Sequence, residues 1–216
     1  MNYIEIYNAN KTIGDKQILK NISLTVEPGK IYGFVGGNGS GKTMLFRAIS
    51  GLITLDSGTI TIGGKVLGQG ISFPENLGLV IENIGLWPYL SGQKNLLMLA
   101  RIKNIIGMDE IKASISRVGL NPDEKKSYGK YSLGMKQRLL IAQALMEKPD
   151  LLILDEPTNS LDADGVELIR SILLEEKQRG ATILLASHNA EDISSLCDVI
   201  YRVRAGEVTM DGGAAV

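Results

Sequence analysis

The chain has 216 residues, 44% of them hydrophobic and 22% charged, enough for one domain with its own core or a domain carrying a small embedded lobe. Its 23 basic and 24 acidic side chains leave a formal charge of −1, so net charge supplies no pull toward nucleic acid or anionic lipid. One cysteine and one histidine exclude an intrachain disulfide and any multi-cysteine or multi-histidine metal site, and the 25 glycines, well above the usual ~7% share, point to turns and close backbone approaches.

The N-terminus carries neither the basic region nor the apolar stretch of a signal peptide, and no apolar run approaches the ~20 residues of a membrane span. The chain reads as soluble, with membrane attachment only through a partner. Tyr3 to Tyr7 and then Ile18 to Val26, with Ile22, Leu24 and Val26 alternating, predict antiparallel strands. Ile31 to Val35 predicts a buried strand running into a glycine-rich loop. From Thr43 the spacing becomes helical, placing Leu45, Ile49 and Leu52 on one face, with Gly51 as the C-terminal cap. Thr59 to Ile62 reads as an edge strand closed by Gly63 and Gly64.

The next stretch is helical, with amphipathic runs at Asn95 to Ile106 and Asp109 to Val118. After it come a helix from Met135 to Glu147, a strand from Leu151 to Leu154, and a helix from Asp164 to Arg179 ended by Gly180. The strand Ile183 to Ala186, a short helix at Glu191 to Leu196 and a hairpin of Val199 to Arg204 with Val208 to Met210 follow. Such alternation predicts an α/β fold: a mostly parallel sheet with helices on both faces, plus an N-terminal antiparallel β subdomain and an inserted helical lobe. One domain spans 1–216. Its core is expected at about 1–82 and 135–216, and the lobe at about 83–134.

Gly36-Gly37-Asn38-Gly39-Ser40-Gly41-Lys42-Thr43 matches G-x-x-x-x-G-K-[ST] between a predicted strand and a predicted helix, the context the motif requires. Glycines let successive backbone N–H groups turn inward around a phosphate, and the helix N-terminus adds partial positive charge. Lys42 is placed to reach the β- and γ-phosphates, and Thr43 to hold magnesium. Leu151 to Leu154 runs into Asp155 and Glu156, at the carboxyl end of a strand where open α/β sheets bind ligands. There Asp155 suits the metal and Glu156 the attacking water. These motifs define the core as that of a P-loop NTPase.

Tyr131-Ser132-Leu133-Gly134-Met135-Lys136-Gln137-Arg138 is a Ser-x-Gly turn opening a basic helix, by itself an anion site or an ordinary N-cap. With the motifs above it resembles the signature loop of the ATP-binding subunits of ABC transporters, usually L-S-G-G-Q, and the resemblance extends over essentially the whole chain. It implies ATP and Mg2+ as cofactors. It implies that Ser132, Leu133, Gly134 and Met135 close on ATP held by a second subunit. Asn159-Ser160-Leu161-Asp162 resembles the family's interface-crossing D-loop, and His188, after Ile183 to Ala186, its switch histidine.

Besides Leu133 and Met135 within the signature loop, three positions depart from the family pattern. Ile13 occupies the slot usually filled by an aromatic ring stacked on adenine, Glu82 the slot of a glutamine that senses magnesium and the membrane partner, and Met44 that of a threonine after Thr43. Glu82, Trp87-Pro88-Tyr89 and the Tyr131 to Met135 loop resemble the bacitracin and lantibiotic exporter subgroup, which works with separate membrane permeases. The resemblance thus implies an ATPase on the cytoplasmic face of a membrane, acting as a homodimer with an integral-membrane permease. No nucleic-acid partner is expected. A related ATPase acting on ribosomes or DNA fits less well, since only a small lobe separates Lys42 from Ser132. A GTP switch or small-molecule kinase lacks its guanine-reading motif, because Asn10-Lys11 is followed by Thr12-Ile13.

Overall fold

In the computed structural model, which describes residues 2–81 and 85–211, two sheets share one helix between them. Strands β1 (Ile4–Ile13) and β2 (Lys16–Val26) form a long hairpin around Gly14 and Asp15, in register from Ile4 opposite Val26 to Ile13 opposite Lys16. The chain then runs through β3 (Ile31–Val35) and α1 (Lys42–Ile49). It returns with β4 (Ser57–Ile62) and the two-residue β5 (Lys65–Val66) to complete an antiparallel sheet of order β2-β1-β4-β5.

The second sheet adds β6 (Leu77–Val80), β7 (Leu151–Asp155), β8 (Thr182–Ala186), β9 (Val199–Arg204) and β10 (Glu207–Met210), in the order β10-β9-β3-β8-β7-β6. Every neighbouring pair is parallel except β9 with β10. Between and after these strands lie α2 (Gly92–Lys103), α3 (Met108–Arg117), α4 (Leu133–Leu145), α5 (Ala163–Gln178) and α6 (Ala190–Leu196).

The two-residue period of the strands decides which layer each side chain joins. Tyr32, Phe34, Leu151, Ile153, Leu184 and Ala186 point to one face, where they pack with Leu45, Phe46 and Ile49 of α1 and the inner face of the antiparallel sheet. Ile31, Leu152, Leu154, Ile183 and Leu185 point to the other, against Leu96, Ile115, Leu139 and Leu173 from α2 to α5. Buried on both faces, these strands read as continuous apolar runs rather than alternating ones. Truncating the fully buried Leu139 would remove a contact at the centre of the second layer, at a cost of about 2–5 kcal/mol.

Caps set the helix starts, and they account for several differences from the sequence-based reading. Ser132 Oγ accepts from Met135 N at 3.2 Å, so α4 begins at Leu133 rather than Met135. Ser91 caps α2 at Gly92, and Asn104, in a left-handed conformation at φ 54°, stops it before Ile106. The first two strands extend to Ile13 and back to Lys16. The expected edge strand at Thr59 to Ile62 is internal instead, because Lys65 and Val66 pair beyond it. Leu52 is not part of the buried helical face. The helix ends at Ile49 with Ser50 as its cap, Gly51 turns the chain at φ 79°, and Leu52 is left exposed.

Candidate active site

The cleft at the carboxyl ends of the parallel strands is a cavity of about 920 Å³. It is lined by Asn38 to Met44, by Asp155 and Glu156, and by two segments sequence reading did not place there: Asp15 to Ile18 with Lys20, and Ala205 with Gly206. The loop from Gly36 leaves the central strand β3 and enters α1, so its amides converge at a helix N-terminus. Gly36 has no room for a side chain: a Cβ there would lie 2.2 Å from Val203 O and 2.8 Å from Ser40 Oγ. Gly206 locks the loop from the other side. Its N–H donates to Ser40 O and its carbonyl accepts from Lys20 N, both at 2.8 Å.

Lys42 is buried, and its ammonium donates to Gly36 O at 2.7 Å and Gly37 O at 3.3 Å, folded along the loop it belongs to. Thr43 Oγ1 donates to Asp155 Oδ2 at 2.5 Å, joining the first turn of α1 to the end of β7. Among the described residues no group of three or more His, Cys, Asp or Glu could hold a metal by itself. A hydroxyl beside a carboxylate is nevertheless a hard-oxygen donor pair of the kind Mg2+ takes when the substrate's phosphates complete its shell. A buried hydroxyl of the phosphate loop, Ser40 Oγ, has no hydrogen-bond partner among the described residues. The residues present therefore fit a magnesium–nucleotide group.

Glu156 takes a left-handed backbone, φ 53°, immediately after β7, a conformation that costs a non-glycine residue energy and clusters at functional sites. Its N–H donates to Ala186 O at 2.8 Å, which ties it to the end of β8. His188, two residues beyond β8, approaches Glu156 Oε2 with Nδ1 at 2.8 Å and donates its backbone N–H to the same oxygen at 3.3 Å. The imidazole is 65% exposed while Glu156 is only 13% exposed, so the ring is free to turn toward a ligand without disturbing the fold.

A second group of expected residues assembles away from the cleft. Ser132 to Met135 open α4, with Leu133 pointing outward at 71% exposure. Gly134 backs onto the Ser160 to Asp162 turn: a Cβ on it would lie 2.9 Å from Ser160 O. Arg138 Nη2 donates to Asp162 Oδ1 at 2.6 Å, and the same oxygen accepts from Gly165 N to cap α5. Gln137 Nε2 donates to Pro157 O at 3.1 Å, connecting this platform to the segment just after Glu156. None of Ser132 to Met135 or Ser160 to Asp162 lines the cleft of its own chain. Ile13 is half exposed at the end of β1 and does not line the cleft either. Glu82 lies outside the described residues.

Beneath the floor of the sheet, Cys197 packs against Gly33, and burial, helped by Asp198 and Asp192, pushes its thiol up to about 12. Asp198 accepts from Ile31 N at 2.9 Å and Lys177 Nζ at 2.5 Å. Partial burial works against its charge, but those two donors outweigh it and hold the carboxyl below its ordinary range.

A central strand feeding a phosphate loop, with an antiparallel sheet on the side of the loop's helix and a helical layer opposite, makes this a P-loop ATPase of the ATP-binding-cassette class. The "ABC transporter" family model matches residues 19–159, and the chain belongs to that family: it is an ATP-binding subunit, an ATPase that powers a transporter. It is 53% identical over 205 residues to the uncharacterized ABC transporter ATP-binding protein YybJ of Bacillus subtilis (strain 168), covering 95% of this chain and 94% of that one. It is 37% identical to the bacitracin transport ATP-binding protein BcrA of Enterococcus faecalis, over 95% of this chain and 67% of the relative. In fold it is similar to the dimeric ATP-binding cassette MJ0796 in a post-hydrolysis state bound to ADP and Pi, with a TM-score of 0.86, 20% identity, and 98% and 100% of the two chains covered. No helix among the described residues is long and apolar enough to cross a membrane, consistent with the peripheral position of such subunits.

Proposed function

We propose that the chain hydrolyses Mg-ATP in a head-to-tail homodimer at the cytoplasmic face of a membrane and so drives a separate permease that exports a peptide antibiotic or a similar hydrophobic compound. The export assignment is supported by the 37% identity to a bacitracin transport subunit. The observation that carries the ATPase mechanism is the largely buried Glu156 carboxylate at the cleft, held by His188 and flanked by the phosphate loop.

In this reading Gly36, Gly37, Asn38, Gly39, Ser40, Gly41 and Met44 cradle the phosphates, and Lys42 leaves its two carbonyl partners to meet the β- and γ-oxygens. Ile13 lies at the adenine end. Thr43 and Asp155, with Glu82, would hold Mg2+, which would supply positive charge to neutralise the phosphates. Glu156 accepts a proton from water as its oxygen forms a bond to the γ-phosphorus. The bond to the bridging oxygen breaks, leaving ADP and phosphate. His188 turns from Glu156 toward the γ-phosphate. Ser132, Leu133, Gly134 and Met135, outside their own cleft, close over the partner's ATP, and Ser160, Leu161 and Asp162 cross between subunits. Residues 83–134 form a lobe that moves with the permease against a core of 1–82 and 135–216.

Glu156→Gln tests this directly. It preserves shape and the His188 contact but removes the base, so ATP binding stays while turnover falls about 10²–10⁴-fold. Normal phosphate release by that variant would remove Glu156 from the reaction.

A further inference from the structure

We propose that Asp192 is a positioning residue that sets the hydrolytic half of the site. Its carboxylate holds the segments after β7 and β8 in register so that Glu156 and His188 face each other. The inference rests on the catalytic roles assigned above to those two residues.

Asp192 stands in the first turn of α6, four residues past His188, and is completely buried. Its Oδ2 accepts from Thr158 Oγ1 at 2.6 Å and from Ser187 Oγ at 3.1 Å; its Oδ1 accepts from Arg170 Nε at 2.8 Å. Each partner belongs to a different element. Thr158 lies two residues after Glu156, Ser187 immediately precedes His188, and Arg170 sits on α5, the helix that the Ser160 to Asp162 turn leads into. One carboxylate thereby meets the end of β7, the end of β8, α5 and α6.

The chemistry argues that this is more than filling. A buried carboxylate is costly unless its lone pairs are met, and an apolar side chain of similar size would close the same gap with less desolvation. Thr158 and Ser187 are themselves buried, so their hydroxyls depend on Asp192 for an acceptor. Ser187 Oγ also accepts from Asn189 N at 3.0 Å, which shapes the turn carrying His188. Arg170 is 8% exposed, and its other carboxylate neighbours, Glu167 and Glu191, are 70% and 72% exposed. Asp192 is therefore its buried counter-charge. Two hydroxyls fixed on one oxygen set where both loops leave the sheet, and the catalytic pair is the next feature along each loop. No residue from Gly36 to Thr43 bonds to this network among the hydrogen bonds described, so the phosphate cradle stands apart from it.

The test uses the full chain with three variants, Asp192→Asn, Thr158→Val and Thr158→Ser, reading steady-state phosphate release and equilibrium binding of the fluorescent analogue mant-ATP. Displacing a catalytic pair by about 1 Å lowers kcat by about ten- to a hundredfold. Asp192→Asn and Thr158→Val are expected to show that loss with mant-ATP affinity within about threefold, and Thr158→Ser to recover most of it. In a Glu156→Gln background, Asp192→Asn should cost little further, since it acts through the placement of that base. Unchanged kcat per folded molecule in Thr158→Val, which conserves volume if Asp192→Asn fails to fold, overturns the proposal. So does an Asp192→Asn loss that is undiminished in the Glu156→Gln background, which would separate Asp192 from the base it is said to position. Glu156→Gln run in parallel separates the two layers of argument: turnover there refutes the catalytic reading itself, whereas its loss together with normal Asp192 variants refutes only the positioning role.

Discussion

Gly36→Ala is the sharpest probe of how the phosphate loop is held. The added Cβ would sit 2.2 Å from Val203 O, a backbone atom of β9 whose strand is paired on both sides, and 2.8 Å from Ser40 Oγ. A carbon–oxygen contact needs roughly 1 Å more than that. Val203 O cannot retreat without breaking the sheet, so the loop must move by about that distance. Overpacking of this kind costs about 1–3 kcal/mol, and at about 2–4 °C per kcal/mol for a chain of this size Tm should fall by about 2–12 °C. A 1 Å displacement of phosphate-binding groups costs about a hundredfold in kcat/KM, or about 2.7 kcal/mol of transition-state stabilisation. Phosphate release over a range of ATP concentrations, with thermal denaturation on the same samples, reads both effects. Gly70→Ala is the control, because its Cβ would find nothing closer than Val66 O at 4.0 Å. If Gly36→Ala matched the control in both assays, the claim that β9 clamps the loop would be wrong.

Ile13→Tyr should tighten mant-ATP binding by about 1 kcal/mol, roughly fivefold in Kd, by offering the base a ring face at the end of β1; unchanged affinity would remove Ile13 from the base site. Asp198→Asn should destabilise the protein by about 1 kcal/mol at pH 7, because it loses charged bonds to Lys177 and Ile31. As the folded carboxyl titrates below its unfolded value of about 3.9, that advantage is present above this pH and lost beneath it. Urea unfolding should show the gap between wild type and variant closing as the pH drops below about 4. Cys197, raised to about 12 by burial, should resist an aromatic disulfide reagent at pH 8 while folded and react readily once unfolded. Fast labelling of the native chain would contradict its packing against Gly33.

The parts of the site that sequence made visible are those in which one short segment supplies several groups. Gly36 to Thr43 carries its strand, turn and helix start within itself, and Asp155 with Glu156 ends an apolar run whose character alone marks a buried parallel strand. The wall made by Asp15 to Lys20 with Ala205 and Gly206 was not visible. It arises where a hairpin from the start of the chain meets one from its end, through backbone bonds that no side-chain pattern announces. Asp192 was hidden for a related reason. An acid in the first turn of a short helix reads as an exposed dipole partner, and only the packing of α6 on α5 turns it inward. Thr59 to Ile62 misled because a two-residue strand, too short to show a period, covers its outer edge.

The turn at Gly206 gives the last hairpin a second duty. Because the N–H and the carbonyl of this one residue bond to Ser40 O and Lys20 N, the strand pair β9–β10 spans between the antiparallel sheet and the loop like a buttress. A length change at residues 205–206 would alter the spacing of the phosphate cradle itself, even though the sheet edge could absorb it. Sequence drift along the outer strand β10 is cheap, while the two-residue turn beside it is bound to a fixed length by a ligand it need not touch with any side chain.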